Sequence, residues 1–149
     1  MYEDERNIAL STFEKIRAEF PRLTMTLDLL PKNVEIAMHI PVQTGLSFDV
    51  YLNLQNRDEL HVVVSKFWMD WFPCTNQKKV DRYLEAVSGL LSGEFRIVEH
   101  WRGRRIVLAQ LQRPNGDAWE AIARSLNPTI LFPWPPKTLK VIQNTRAVD

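Results

Sequence analysis

The sequence predicts an α+β domain in two layers, a mostly antiparallel sheet with helices packed on one face. Three observations predict it. Residues 23–67 contain four consecutive stretches in which apolar and polar residues alternate, the period of a sheet with one buried and one wet face. Residues 5–20 and 77–91 instead carry apolar stripes at helical spacing. The connections between the alternating stretches are short enough to be hairpins, which antiparallel neighbours require.

Ala9, Phe13, Ile16 and Phe20 form the stripe of the first helix, with Glu14, Lys15 and Glu19 off it. Acidic residues at 3–5 suit the positive end of a helix dipole, and Pro21 biases Phe20 out of helical angles. Four strands follow at 23–30, 34–40, 46–55 and 60–67. Pro31 cannot adopt the positive φ a tight two-residue hairpin turn needs at its first position, so a four-residue loop is expected, with Leu30 opposite Glu35. That register sets Met25, Leu27 and Leu29 across from Ile40, Met38 and Ile36. Gln43-Thr44-Gly45 and Asn56-Arg57-Asp58 supply the next two turns.

In the second helix Val80, Tyr83, Leu84, Val87 and Leu91 point inward, Asn76 or Thr75 caps the start and Gly93 the end. Two strands, 94–101 and 104–113, meet at a turn near Arg102-Gly103. A short third helix is expected over 117–126, with Trp119, Ile122, Ala123 and Leu126 inward. The tail 128–149 opens with four prolines among Ile130, Leu131, Phe132 and Trp134, and residues 139–142 suit a last extended piece. The expected order is helix, four strands, helix, two strands, helix, proline-rich tail. It is similar to that of small homodimeric secretion chaperones in the alternation of elements, with no shared motif.

The chain of 149 residues has the size of one domain, and no linker or repeat divides it. A chain of this length buries roughly 70% of its unfolded surface and needs no staples. Its composition, 45% apolar and 25% charged with 5 glycines, is that of a globular domain. The single cysteine, Cys74, excludes an intrachain disulfide and a cysteine-based metal cluster. The start, Met-Tyr-Glu-Asp-Glu-Arg, is no secretory signal, and no run of ~18 apolar residues spans a membrane, so a cytoplasmic protein is expected. The net charge of +1 conceals an uneven distribution. Residues 1–75 carry 7 basic against 11 acidic side chains, residues 76–149 carry 12 against 7.

No arrangement of residues commits the chain to a reaction. His39 and His61 fall on the expected wet face with Asp28, Asp49, Ser47 and Tyr51. A flat exposed sheet lacks the water exclusion that acid–base catalysis uses. His100 falls near a hairpin end. No His, Asp, Glu or Cys pair has the spacing of a recognised metal site, and no glycine-rich phosphate loop or nucleophile elbow is present. No catalytic residue, metal or cofactor is therefore expected, and Cys74 reads as core filler.

Two features exceed what a plain fold requires. Arg96, Arg102, Arg104, Arg105 and Arg113 crowd the hairpin 96–113. Arg102, Arg104 and Arg105 beside Trp101 suit an anion, whether carboxylate, phosphate or a nucleic-acid backbone with a stacked base. Charged tips also protect hairpins from edge pairing. The segment 67–73 carries more large rings than a half-wet strand accommodates. Trp68, Trp71 and Phe72 are thus candidate partner contacts, and Trp134 in the tail is a fourth, lying over that segment in its own chain or in a second copy. The preferred functional expectation is a non-catalytic protein-interaction domain (adaptor, chaperone or inhibitor-like), with another protein or a second copy as partner. Anion or nucleic-acid binding and a small hydrolase or transferase with a dispersed site are the alternatives.

Overall fold

The structure, a computed structural model, describes residues 2–126 and 138–145. Its elements run α1 (Tyr2–Glu19), β1 (Thr26–Asp28), β2 (Ile36–Ile40), β3 (Val50–Gln55), β4 (Glu59–Val64), β5 (Phe67–Trp71), α2 (Gln77–Ser92), β6 (Arg96–Arg102), β7 (Arg105–Asn115), β8 (Ala118–Leu126) and β9 (Thr138–Ile142). The class is α+β, and every strand pairing is antiparallel. The strands divide between two sheets, β1-β2-β3-β4-β5 and β8-β7-β6-β9.

Both expected helices form. Ala9, Phe13 and Ile16 of α1 are fully buried. Asn76 caps α2 by accepting from the Lys78 N–H, and Gly93 ends it at φ 82°, the left-handed angle a C-cap takes. Gly89 is buried where α2 meets Phe95, and the Phe95 N–H donates to the Gly89 carbonyl at 2.8 Å.

The first hairpin has the expected register, with Leu27 opposite Met38, although β1 spans only Thr26–Asp28. Asn56 and Arg57 turn the chain between β3 and β4 at φ 53° and 77°. Along β2, β3 and β4 the apolar set (Ile36, Met38, Ile40, Val50, Leu52, Leu54, Leu60, Val62, Val64) is buried in one core cluster with α1 and α2. Trp71 joins that side, its ring edge-on to Tyr83 of α2 with centroids 5.6 Å apart.

The second sheet turns Ile97, Ala109 and Leu111 into the same core. Glu99, fully buried between them, accepts from Ser65 Oγ at 2.9 Å, the Lys66 N–H at 3.2 Å and Trp101 Nε1 at 3.2 Å. It thereby fastens the β4–β5 turn to β6. Asn144 plays a similar part after β9, donating to Gly45 O and Leu91 O and accepting from the Ser47 N–H.

Three expectations need correction. The third helix is a strand, since residues 118–126 pair along β7 with a bulge at Leu111/Gln112. Gly116, at φ 62°, and Asp117 make a two-residue hairpin turn whose strand pairing overrides the helical spacing of Trp119, Ile122 and Ala123. The strand expected over 46–55 begins only at Val50, and Leu46 contributes a single bridge to Gln43. The stretch 60–67 ends at Val64 and turns at Ser65 (φ 53°), so the aromatic segment becomes a fifth strand.

Candidate functional site: the outer face of the five-stranded sheet

Cross-strand register determines what the outer face of the first sheet presents. One row runs Asp28–Ala37–Asn53–His61–Asp70 across all five strands, and the next runs Thr26–His39–Tyr51–Val63–Trp68. Residues directly opposite one another have Cβ atoms about 5 Å apart, so each row is a line of touching side chains. The five strands contain no Lys or Arg, while Asp28, Glu59 and Asp70 all lie on this face. The face is acidic.

His61 is not on a wet surface. It is 7% exposed, whereas its expected companion His39 is exposed and lies 3.5 Å from Asp49. The ring nitrogens of His61 both have partners. Gln55 Nε2 lies 2.8 Å from Nδ1, and Glu59 Oε2 lies 2.9 Å from Nε2. With the Gln55 amide donating, the neutral ring carries its proton on Nε2 and donates it to Glu59. Glu59 Oε2 also accepts from Asn56 Nδ2 at 2.8 Å, and these two hydrogen bonds, Asn56 first, hold the carboxyl below the ordinary glutamate value. The His61 carbonyl accepts from the buried Tyr83 hydroxyl at 2.8 Å, so the backbone here is held from the core side as well.

Asp70 completes the group. The potential ligand atoms of Glu59, His61 and Asp70 lie within 4.8 Å of one another, the one such convergence of three or more His, Cys, Asp or Glu side chains among the described residues. Asn53, cross-strand from His61, is 2% exposed, and its Oδ1 has no hydrogen-bond partner. Glu59 and His61 share a face by their i, i+2 spacing, which the sequence shows. Asp70 and Asn53 join them only through strand pairing, which it does not.

The aromatic candidates separate. Trp68, 52% exposed, stands on the outer face beside Val63, and Phe72, 51% exposed, follows the end of β5. Trp71 is half-buried on the opposite face against Tyr83. Trp134 lies outside the described residues. Tyr51, half-buried between His39 and Val63, has its hydroxyl pKa raised by burial and then by Asp28.

The arginine hairpin forms where expected, with Gly103 at φ 59°. Its groups do not converge on one point. The Trp101 indole N–H is committed to Glu99, Arg113 pairs with Glu120 at 3.1 Å and Glu85 at 3.7 Å, and Arg96 donates to Gln112 and stacks 4.1 Å over the Trp119 ring. Arg104 and Arg105 are exposed at the tip, and Arg102 is half-buried.

A groove of about 810 Å³ lies elsewhere, lined by residues that include Phe20, Leu23, Leu91 and Asn144, and contains neither His39 nor His61. No described helix is long and apolar enough to cross a membrane. No protein-family model matches the chain, and no curated protein or solved structure is significantly similar to it.

Proposed function

We propose that this chain is a non-catalytic cytoplasmic binding domain that engages another protein through the outer face of its five-stranded sheet. The single observation that carries the reading is Trp68, half-exposed on a strand that is hydrogen-bonded into the sheet and tied by its turn to Glu99. A large ring held rigidly at a surface loses little conformational freedom on binding and buries much area, which is why Trp concentrates contact energy.

The chemistry of the surround selects the partner. Trp68, Val63 and Phe72 offer apolar contact, Asp70 lies beside them on β5, and Glu59 and Asp28 add negative charge farther across the same face, with no Lys or Arg in the five strands. The complement is an apolar protein surface with a basic rim. A nucleic-acid backbone would be repelled there. The 810 Å³ groove does not include the His61–Glu59 pair, and the pair is assigned no acid–base role.

Quantitative recovery of bound proteins from native extract tests the reading with two double variants. Trp68→Ala with Phe72→Ala should lose the specific partner while circular dichroism and melting stay near wild type. Arg102→Ala with Arg104→Ala should retain it. Loss in the arginine variant and retention in the aromatic one would transfer the function to the hairpin.

A further inference from the structure

We propose that Glu59, His61 and Asp70 form a binding site for one divalent transition-metal ion of the zinc class, with Asn53 and Gln55 supporting it. The donor set is one imidazole nitrogen and two carboxylates. Imidazole favours zinc-class metals over Mg²⁺ and Ca²⁺, which prefer oxygen throughout. The two carboxylates supply the opposing charge, and no strand residue of the sheet carries a competing positive side chain.

The geometry is close to what an ion requires. Tetrahedral zinc bonds of about 2.0–2.2 Å place neighbouring ligand atoms about 3.3–3.6 Å apart. His61 Nε2 and Glu59 Oε2 are already 2.9 Å apart, and the whole set falls within 4.8 Å. Asp70, half-buried at the edge strand, has to close by at most about 1.2–1.5 Å to reach the range that those bond lengths set. The ion would replace the proton that His61 Nε2 now shares with Glu59.

That exchange moves the imidazole proton to Nδ1, where Gln55 already sits at 2.8 Å. An amide turned end for end presents Oε1 instead of Nε2, so Gln55 can accept the relocated proton as readily as it now donates. A hydrogen bond to the far nitrogen of a ligating histidine is the usual support of such sites. Asn53 supplies the independent observation. Its Oδ1 is buried, has no partner, and belongs to the residue directly across from His61 on the same face. Buried amide oxygens are ordinarily satisfied, and a cation beside His61 would satisfy this one.

The test uses the untagged full-length chain, stripped with chelator and desalted, and titrated with ZnCl₂ by calorimetry and against a chromophoric chelator. One equivalent should bind at micromolar affinity or tighter, and millimolar Mg²⁺ should not displace it. Asp70→Asn and Glu59→Gln should each weaken binding at least about tenfold, and Gln55→Ala about 10–100-fold. His39→Gln and His100→Gln should bind as wild type. Because His61 is buried, its replacement is read only alongside the Asp70 variant, which alters a half-exposed group. The ¹⁵N resonances of the His61 ring should shift on adding zinc. Absence of stoichiometric binding, displacement by Mg²⁺, binding unchanged in both carboxylate variants, or binding lost in His39→Gln would each overturn the proposal. None of these readouts depends on the partner surface, so the two proposals fail separately.

Discussion

Replacing Gly89 with Ala inserts one methyl group where α2 touches Phe95. Its Cβ would stand 2.2 Å from Phe95 Cδ2, 2.3 Å from Cγ and 2.7 Å from Cε2. Carbon atoms normally rest about 3.5–4.0 Å apart, so the ring has to move by more than an ångström. It cannot retreat with its backbone, because the Phe95 N–H is bonded to the carbonyl of Gly89 itself. On an exposed helix the same change would stabilise by about 1 kcal/mol. Overpacking a filled core costs about 1–3 kcal/mol, and a ring driven into water forfeits a similar amount of burial. Net of the helix-propensity gain, the expectation is destabilisation by up to about 2 kcal/mol, measured by urea unfolding followed by circular dichroism. Phe95→Ala opens a cavity and is costly alone. Adding Gly89→Ala to that variant should then cost little or stabilise, giving a coupling energy of about 1–3 kcal/mol. A single Gly89→Ala variant more stable than wild type would refute the packing of Phe95 onto α2.

Burial, then Glu5 and Asp58, push the Cys74 thiol up to about 11, so it is protonated at neutral pH. Alkylation by iodoacetamide should be slow in the native protein and fast in denaturant, and rapid native labelling would contradict the burial. Glu59, held below its ordinary value of 4.5, contributes stability that is complete above that pH and is lost as pH falls through the lower folded value. In metal-free buffer, the stability of Glu59→Gln should therefore fall less steeply than wild type below about pH 4.5. Equal slopes would show that the Asn56 and His61 hydrogen bonds do not favour the ionised carboxylate.

Most of the frame was legible because its signals are local. The α1 stripe, the Asn76 and Gly93 caps and the alternation through β2, β3 and β4 each depend on residues a few positions apart. Even the β1–β2 register followed from Pro31, which forbids the shorter loop. The errors arose where distant partners decide. Residues 118–126 have the composition of a helix, and only a hairpin partner makes them a strand. The rings of 67–72 looked excessive for a half-wet strand, yet Trp71 is absorbed by Tyr83 on the far side, leaving Trp68 and Phe72 outward. His61 looked solvated because alternation assigns a face without saying what surrounds it. Gln55, Glu59 and Asn53 enclose it, and Asn53 reaches it only across the ladder.

The most direct test of the outer face as the functional surface is hydroxyl-radical footprinting of Trp68 and Phe72, compared between living cells and purified protein. The account predicts strong oxidation of both rings in the purified chain and marked protection of both in cells, with half-buried Trp71 as the internal reference. Equal oxidation of Trp68 and Phe72 in the two settings would leave that face unoccupied where the protein works, and would contradict the account.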